Sequence, residues 1–154
     1  MQILKPLGNK ISEKVKSWSQ IKKEAWELKD FLDAKKFKGH WTDAFSISHC
    51  QVSNEPKCFF VVNKKKIKEF GHWCVINARI VKNEQPVTFS EGCMSFMYRK
   101  EANVERYAKI TVTYQTPFLN LFLIPRRRVL KEIDAFIVQH EVQHFSGKSI
   151  YFPD

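Results

Sequence analysis

Apolar and polar positions alternate along this chain in two different rhythms. Between residues 21 and 37, Ile21, Ala25, Trp26, Leu28, Phe31, Leu32 and Ala34 recur at helical spacing with Lys and Glu between them, which predicts an amphipathic helix. Further on, short runs rich in Val, Ile, Phe and Thr are broken by Asn, Lys and Pro. They predict strands at 58–63, 73–77, 79–82, 109–115 and 118–124. Pro125 and three arginines then lead into a second helical pattern, roughly 127–145, whose apolar face holds Leu130, Ile133, Phe136 and Ile137. Gly147 marks its stop, and a brief last strand is expected near 149–152. The layout is α+β, with a helix at each end and strands between. No repeat, low-complexity stretch or linker interrupts it, so residues 1–154 read as one domain.

Composition narrows the class. Hydrophobic residues make up 44% of the chain and include 13 Phe, enough for a core, yet no apolar run is long enough to span a bilayer. A chain of this size buries about two-thirds of its unfolded surface. The start, Met1-Gln2-Ile3-Leu4-Lys5, has neither the apolar stretch of a signal peptide nor an Arg- and Ser-rich transit segment. The 4 Cys are therefore expected as reduced thiols, and a cytoplasmic location follows.

Charge is the unusual feature, at +10. It gathers in Lys35-Lys36, in Lys64-Lys65-Lys66 with Lys68, and in Arg126-Arg127-Arg128. Lys64 to Lys68 separates two strand-like runs and predicts an exposed hairpin loop. Solvated turns and helix ends account for most such residues. Attraction to RNA stays open as a second reading, carried by charge alone, because no nucleic-acid-binding motif is present. Neither DNA nor a membrane is expected as a partner.

The chemistry concentrates in His140-Glu141-Val142-Gln143-His144. On a helix, histidines at i and i+4 stack on one face, so two imidazoles can reach one ion, and the glutamate between them can handle the proton of a bound water. Downstream, Gly147 fits the longer HExxHxxGxxH pattern, but Ile150 stands where its last histidine belongs. A third ligand must then come from upstream, or there is no site. The candidate is Cys93 in Glu91-Gly92-Cys93-Met94-Ser95, where Gly92 would let the backbone bend toward the ion. Two imidazoles and a thiolate leave a fourth position open, as in catalytic rather than closed sites. That donor set suits Fe(II), Zn(II), Co(II) or Ni(II) and argues against Mg or Ca. Taken alone, Cys93 reads more readily as a buried small hydrophobe than as a ligand.

These motifs, in this order, resemble the peptide deformylase family, whose three motifs are GxGLAAxQ, EGCLS and HExDH. EGCMS (91–95) departs from the second only at Met94, and HEVQH (140–144) from the third only at Gln143. The first is worn: Ala44-Phe45-Ser46-Ile47-Ser48-His49-Cys50-Gln51 keeps its glutamine and an aliphatic at the fourth place. Cys58-Phe59-Phe60-Val61-Val62, Val75-Ile76-Asn77-Ala78 and Arg106-Tyr107-Ala108-Lys109-Ile110-Thr111-Val112 resemble further strands of the family, so the likeness runs from about residue 2 to the end.

The resemblance implies small antiparallel sheets around a metal-binding C-terminal helix, preceded by an N-terminal helix. It implies Cys93, His140 and His144 as ligands of one divalent metal, Fe(II) in the cell with Zn(II), Ni(II) or Co(II) accepted, and Glu141 as the proton carrier. The side-chain amide of Gln51 and the backbone N–H of Met94 would face the oxyanion. The substrate would be a nascent formyl-Met polypeptide, losing formate. Phe45, Phe136 and Ile137 would form the slot for the methionine side chain, with Ser46 and Gly92 beside the substrate backbone.

Three departures bear on this expectation. Gln143 cannot pair charge with an arginine as the family's aspartate can, so Arg106 is expected to turn to Glu91. Ser46, Ser48 and His49 replace a glycine and two alanines of the first motif, and His49 is expected to pack rather than to ligate. The chain ends soon after the metal helix, like the shortened members of the family, including those of phages. Its location would be the cytoplasm, that of a host if the chain is phage-encoded, and any weak ribosome contact would use the basic loops. Two alternatives stay open: another metal-dependent amidase or peptidase, and a catalytically silent basic protein that binds RNA or the ribosome.

Overall fold

The computed structural model describes residues 10–34, 44–67, 69–93 and 100–151. Helix α1 spans Trp18–Asp33, and its buried residues Trp18, Ile21, Ala25, Leu28 and Leu32 form one stripe at i, i+3 and i+4 spacing. It starts three residues earlier than the periodicity suggests. It also stops sooner, because Ala34 already has extended backbone; residues 35–37 of the expected helix lie outside the described residues.

Five strands follow, β1 (Ser46–Ser48), β2 (Phe59–Val62), β3 (Cys74–Glu91), β4 (Ala102–Phe118) and β5 (Phe122–Lys131). They form one sheet in chain order, each antiparallel to the next. Helix α2, Glu132–Phe145, closes the order. The two helices cover opposite faces of the sheet. One apolar cluster joins Phe60, Val62, Val75, Ile110, Val112 and Leu130 to Ala135, Val138 and Phe145 of α2. The other joins Phe59, Val61, Cys74, Ile76 and Ile47 to α1. All four residues of β2 are buried, alternating between the clusters. Burial on both faces is why β2 reads as an unbroken apolar run. Each such side chain contributes about 1.5–3 kcal/mol relative to exposure.

Several expected elements differ. The runs 73–77 and 79–82 belong to one strand, interrupted by a register shift between Ile76 and Arg79. Asn77 has φ 51 there, a conformation asparagine tolerates better than most residues. Its side chain bonds both backbone groups of Val15 and the Gln115 carboxamide, tying the entry to α1 onto the sheet. Strands β3 and β4 also extend through 83–91 and 102–108, polar segments held by pairing with each other.

Residues 127–131 are strand rather than helix. They pair with β4, as in Thr113 with Arg127 and Lys109 with Lys131, and α2 begins only at Glu132. The run 118–124 is a hairpin, with Leu119 and Asn120 at positive φ in its turn. Pro125 is tolerated because β5 lies at the sheet edge. Near the end, Ser149 makes a single bridge and a turn follows at 150–151, while Phe152 lies outside the described residues.

Lys64, Lys65 and Lys66 form the expected turn after β2, and Arg126 to Arg128 are exposed. Lys35, Lys36 and Lys68 lie outside the described residues. Among the described residues, no helix is long and apolar enough to cross a membrane.

Candidate active site

Three elements meet at one point. Helix α2 carries His140, Glu141 and His144, the end of β3 leads to Cys93, and β1 with its following 3-10 turn (His49–Gln51) brings Ser46, Ser48 and Gln51. The ligand atoms of Cys93, His140 and His144 all lie within 4.8 Å of one another. The two Nε2 atoms are 3.1 Å apart, and Cys93 Sγ is 3.5 Å from His144 Nε2. A tetrahedral ion bonded at about 2.0–2.1 Å to nitrogen and about 2.3 Å to sulfur would set N···N near ~3.3 Å and N···S near ~3.6 Å. The cluster has the size of such an ion.

Hydrogen bonding of the outer nitrogens gives a second test of fit. His144 Nδ1 lies 2.9 Å from the Lys148 carbonyl, which only accepts, so that nitrogen carries hydrogen. His140 Nδ1 lies 2.8 Å from a Glu91 carboxylate oxygen and donates in the same way. In neutral rings both Nε2 lone pairs then face each other, which is unfavourable unless a cation lies between them. Burial alone would lower the His140 pKa, but hydrogen bonds to Cys93 and Glu91 and nearby charge raise it to about 10. Burial, then the charge on His140, depress His144 to about 3. Cys93, His140 and His144 therefore fit a metal ion both by spacing and by tautomer.

Glu91 anchors this arrangement. Arg106 donates to both of its oxygens, from Nε at 2.7 Å and from a terminal nitrogen at 2.8 Å, and that same nitrogen reaches Gln143 Oε1 at 3.0 Å. Arg106 thus holds Glu91 and Gln143 together rather than one in place of the other. Burial opposes the charge on Glu91, but Arg106 and His140 outweigh it and keep the carboxyl below its ordinary pKa. Gln143 Nε2 donates onward to the Ser149 carbonyl.

Glu141 is buried, and its two oxygens accept from the hydroxyls of Ser46 and Ser48. Burial pushes its pKa up, against the opposing pull of His140 and the two hydroxyls. Gln51 is also buried; its Oε1 accepts the Ser48 backbone N–H at 2.8 Å, which leaves Nε2 directed toward Cys93 Sγ at 3.9 Å.

A cavity of about 270 Å³ opens beside these groups. Its wall includes Phe45, Ser46, Gly92, Phe136 and Ile137, as well as Gln51, His140 and Glu141. Phe89, which the sequence reading passed over, also lines it and stacks on Phe136 with ring centroids 4.3 Å apart. Gly92 has no left-handed backbone, and a Cβ there would meet only Glu101 Cγ at 3.9 Å. Its contribution is open space along the wall rather than a special bend. Met94 lies outside the described residues.

His49 is a packing residue. It stacks on Phe59, accepts the Lys57 N–H at Nδ1 and faces Glu24 through Nε2 at 3.4 Å. Burial lowers its pKa to about 4, with Glu24 opposing and Lys57 assisting. The contact of Ser46 and Ser48 with Glu141 was missed in the sequence. Its one available signal was their i, i+2 spacing, which puts both side chains on the same face of a strand.

Fold and site define an α+β protein with a Cys-His-His metal-binding cluster beside a buried glutamate. The chain belongs to the polypeptide deformylase family, whose sequence profile matches residues 2–152. That family is metal-dependent, in keeping with the cluster. A peptide deformylase of Clostridium beijerinckii is 37% identical over 89 residues, an alignment covering 54% of this chain and 60% of that relative. The match thus spans less than two-thirds of the relative's length. The crystal structure of the Plasmodium falciparum peptide deformylase is similar with a TM-score of 0.76 at 26% identity, over 97% of this chain and 83% of that one. The PDF of Vibrio parahaemolyticus bacteriophage VP16T shares the fold, with a TM-score of 0.76 at 24% identity over 97% and 99% of the two chains.

Proposed function

We propose that this chain hydrolyses the formyl group from N-formylmethionyl nascent peptides, releasing formate. The observation that carries this reading is the convergence of Cys93, His140 and His144 on a point beside Glu141, at one end of a cavity with an apolar wall. The three ligands would hold one divalent ion, which supplies Lewis acidity and a water of lowered pKa. A sulfur and two imidazoles suit Fe(II) in a reducing cell, with Zn(II), Ni(II) or Co(II) as replacements. All four cysteines are free, which suits a reducing cytoplasm, that of a host if the gene is a phage's.

Glu141 takes the proton of the attacking water and delivers it to the departing amine. The Gln51 amide and the Met94 backbone N–H donate to the developing oxyanion. Phe45, Phe136 and Ile137 receive the methionine side chain, while Ser46 and Gly92 border the peptide backbone. The basic turn at Lys64 to Lys66 and the exposed arginines Arg126 to Arg128 of the edge strand β5 give weak attraction to ribosomal RNA.

The test is anaerobic hydrolysis of formyl-Met-Ala-Ser by wild type and Glu141→Gln, with metal content measured on both. Turnover should fall at least ~100-fold with metal retained, the usual size of a lost acid/base group. Equal cleavage of acetylated peptides would point to a different amidase instead, and wild type that binds no metal would sink the reading.

A further inference from the structure

We infer that β1 is a positioning clamp for the reacting groups, with the hydroxyls of Ser46 and Ser48 holding the Glu141 carboxylate from both sides. The inference rests on the deformylase reading and adds two residues of this chain to its machinery. Ser46 and Ser48 are two apart on a three-residue strand, so both side chains project to the same side. Ile47, fully buried among the residues that pack on α1, pins that register from the opposite face. Pairing of Ser46 with Val62 and Ser48 with Phe60 fixes the strand to the core. The hydroxyls then reach different oxygens, Ser46 to Oε1 and Ser48 to Oε2 of Glu141.

A carboxylate offers about four acceptor sites, and holding one on each oxygen stops rotation while leaving the others for water and substrate. Ser48 has a second hold: its backbone N–H is bound by Gln51 Oε1, which sets which way the amide N–H points. One residue thereby orients both the proton carrier and the amide donor. Ser46 additionally borders the cavity beside Glu141. In the motif that this stretch resembles, the two positions are glycine and alanine, which have no hydroxyl to give. The clamp is thus a property of this chain, and its effect is to hold the glutamate in reacting geometry before substrate arrives.

The experiment compares Ser46→Ala, Ser48→Ala and the double variant in full-length, metal-reconstituted protein. Each single change should lower kcat for formyl-Met-Ala-Ser about tenfold, and the double about a hundredfold, with KM within about twofold and metal content unchanged. Ser46→Thr, which keeps the hydroxyl, should restore most of the loss. In a Glu141→Gln background the serine changes should have no further effect, because their target is gone. A readout independent of turnover is the infrared carboxylate band of Glu141 in metal-free protein, isolated by subtracting the Glu141→Gln spectrum; it should shift in both serine variants. Folded variants that keep kcat within about twofold, or leave that band in place, overturn the clamp. If Ser48→Ala does not fold, the Ser46 pair decides. Wild type inactive on formyl peptides would instead end the deformylase reading, and the infrared comparison would still decide the clamp.

Discussion

Replacing Arg106 by alanine removes the cation that keeps a buried carboxylate charged behind the candidate ligand His140. Arg106 and Glu91 are 8% and 7% exposed, so neither has water to fall back on. Three hydrogen bonds disappear, two to Glu91 at 2.7 and 2.8 Å and one to Gln143 at 3.0 Å. Removing one partner of a buried, hydrogen-bonded pair costs about 3–5 kcal/mol, most of it the penalty of the charge left behind. The space vacated by the guanidinium admits water, which favours the lower end. For a domain of this size that corresponds to a fall in Tm on the order of 10 °C. Glu91 also holds His140 through Nδ1, so its loosening should weaken metal binding about 10- to 100-fold, as other losses behind a metal ligand do. Arg106→Lys keeps the charge but not the two-pronged geometry and should fall between. The assays are thermal melting of metal-free protein and chelator competition for Co(II). Arg106→Ala that melts within about 2 °C of wild type and binds metal within about twofold would refute the reasoning, since a buried carboxylate cannot lose its paired arginine at no cost.

Three other outcomes are expected. Because His49 has a folded pKa of about 4 against about 6.5 unfolded, the unfolded chain binds the extra proton between those values. The stability contribution, about 3 kcal/mol, is therefore complete above pH ~6.5 and lost as pH falls toward 4. Urea midpoints from pH 7 to 4.5 should show this slope, and His49→Gln should flatten it; an equal slope in the variant would assign it elsewhere. Phe136→Val removes the stack on Phe89 and widens the cavity, so the kcat/KM ratio of formyl-Phe to formyl-Met peptides should rise about tenfold, and an unchanged ratio would place the side-chain slot elsewhere. Leu119 is exposed at φ 48 in the β4–β5 turn, so Leu119→Asn should stabilise by about 0.5–1 kcal/mol; a lowered Tm would show that the turn is not strained.

Local pattern carried the reading furthest where one element decides the outcome. The α1 stripe, the buried run of β2 and the i, i+4 pairing of His140 with His144 each follow from the period of a single helix or strand. The long outer strands did not declare themselves. Residues 83–91 are polar and contain Pro86, and 126–131 contain three arginines, so neither shows the alternation that marks a half-buried strand. They are strands because β4 supplies their hydrogen bonds, a choice made by a neighbour far along the chain. The same limit displaced the start of α2, which begins only where pairing with β4 ends.

The candidate donors His140 and His144 and the glutamate between them were legible in the sequence itself, because their pairing depends on residue type and helical spacing, whereas Cys93 joined them only through the motif it resembles. Tertiary structure alone decided which other buried polar groups face them. Arg106, expected at Glu91, also reaches Gln143, and Ser46 and Ser48 meet Glu141 across 95 and 93 residues of chain. Such contacts depend on strand register and on how a helix seats against a sheet, quantities that no local run of residues encodes.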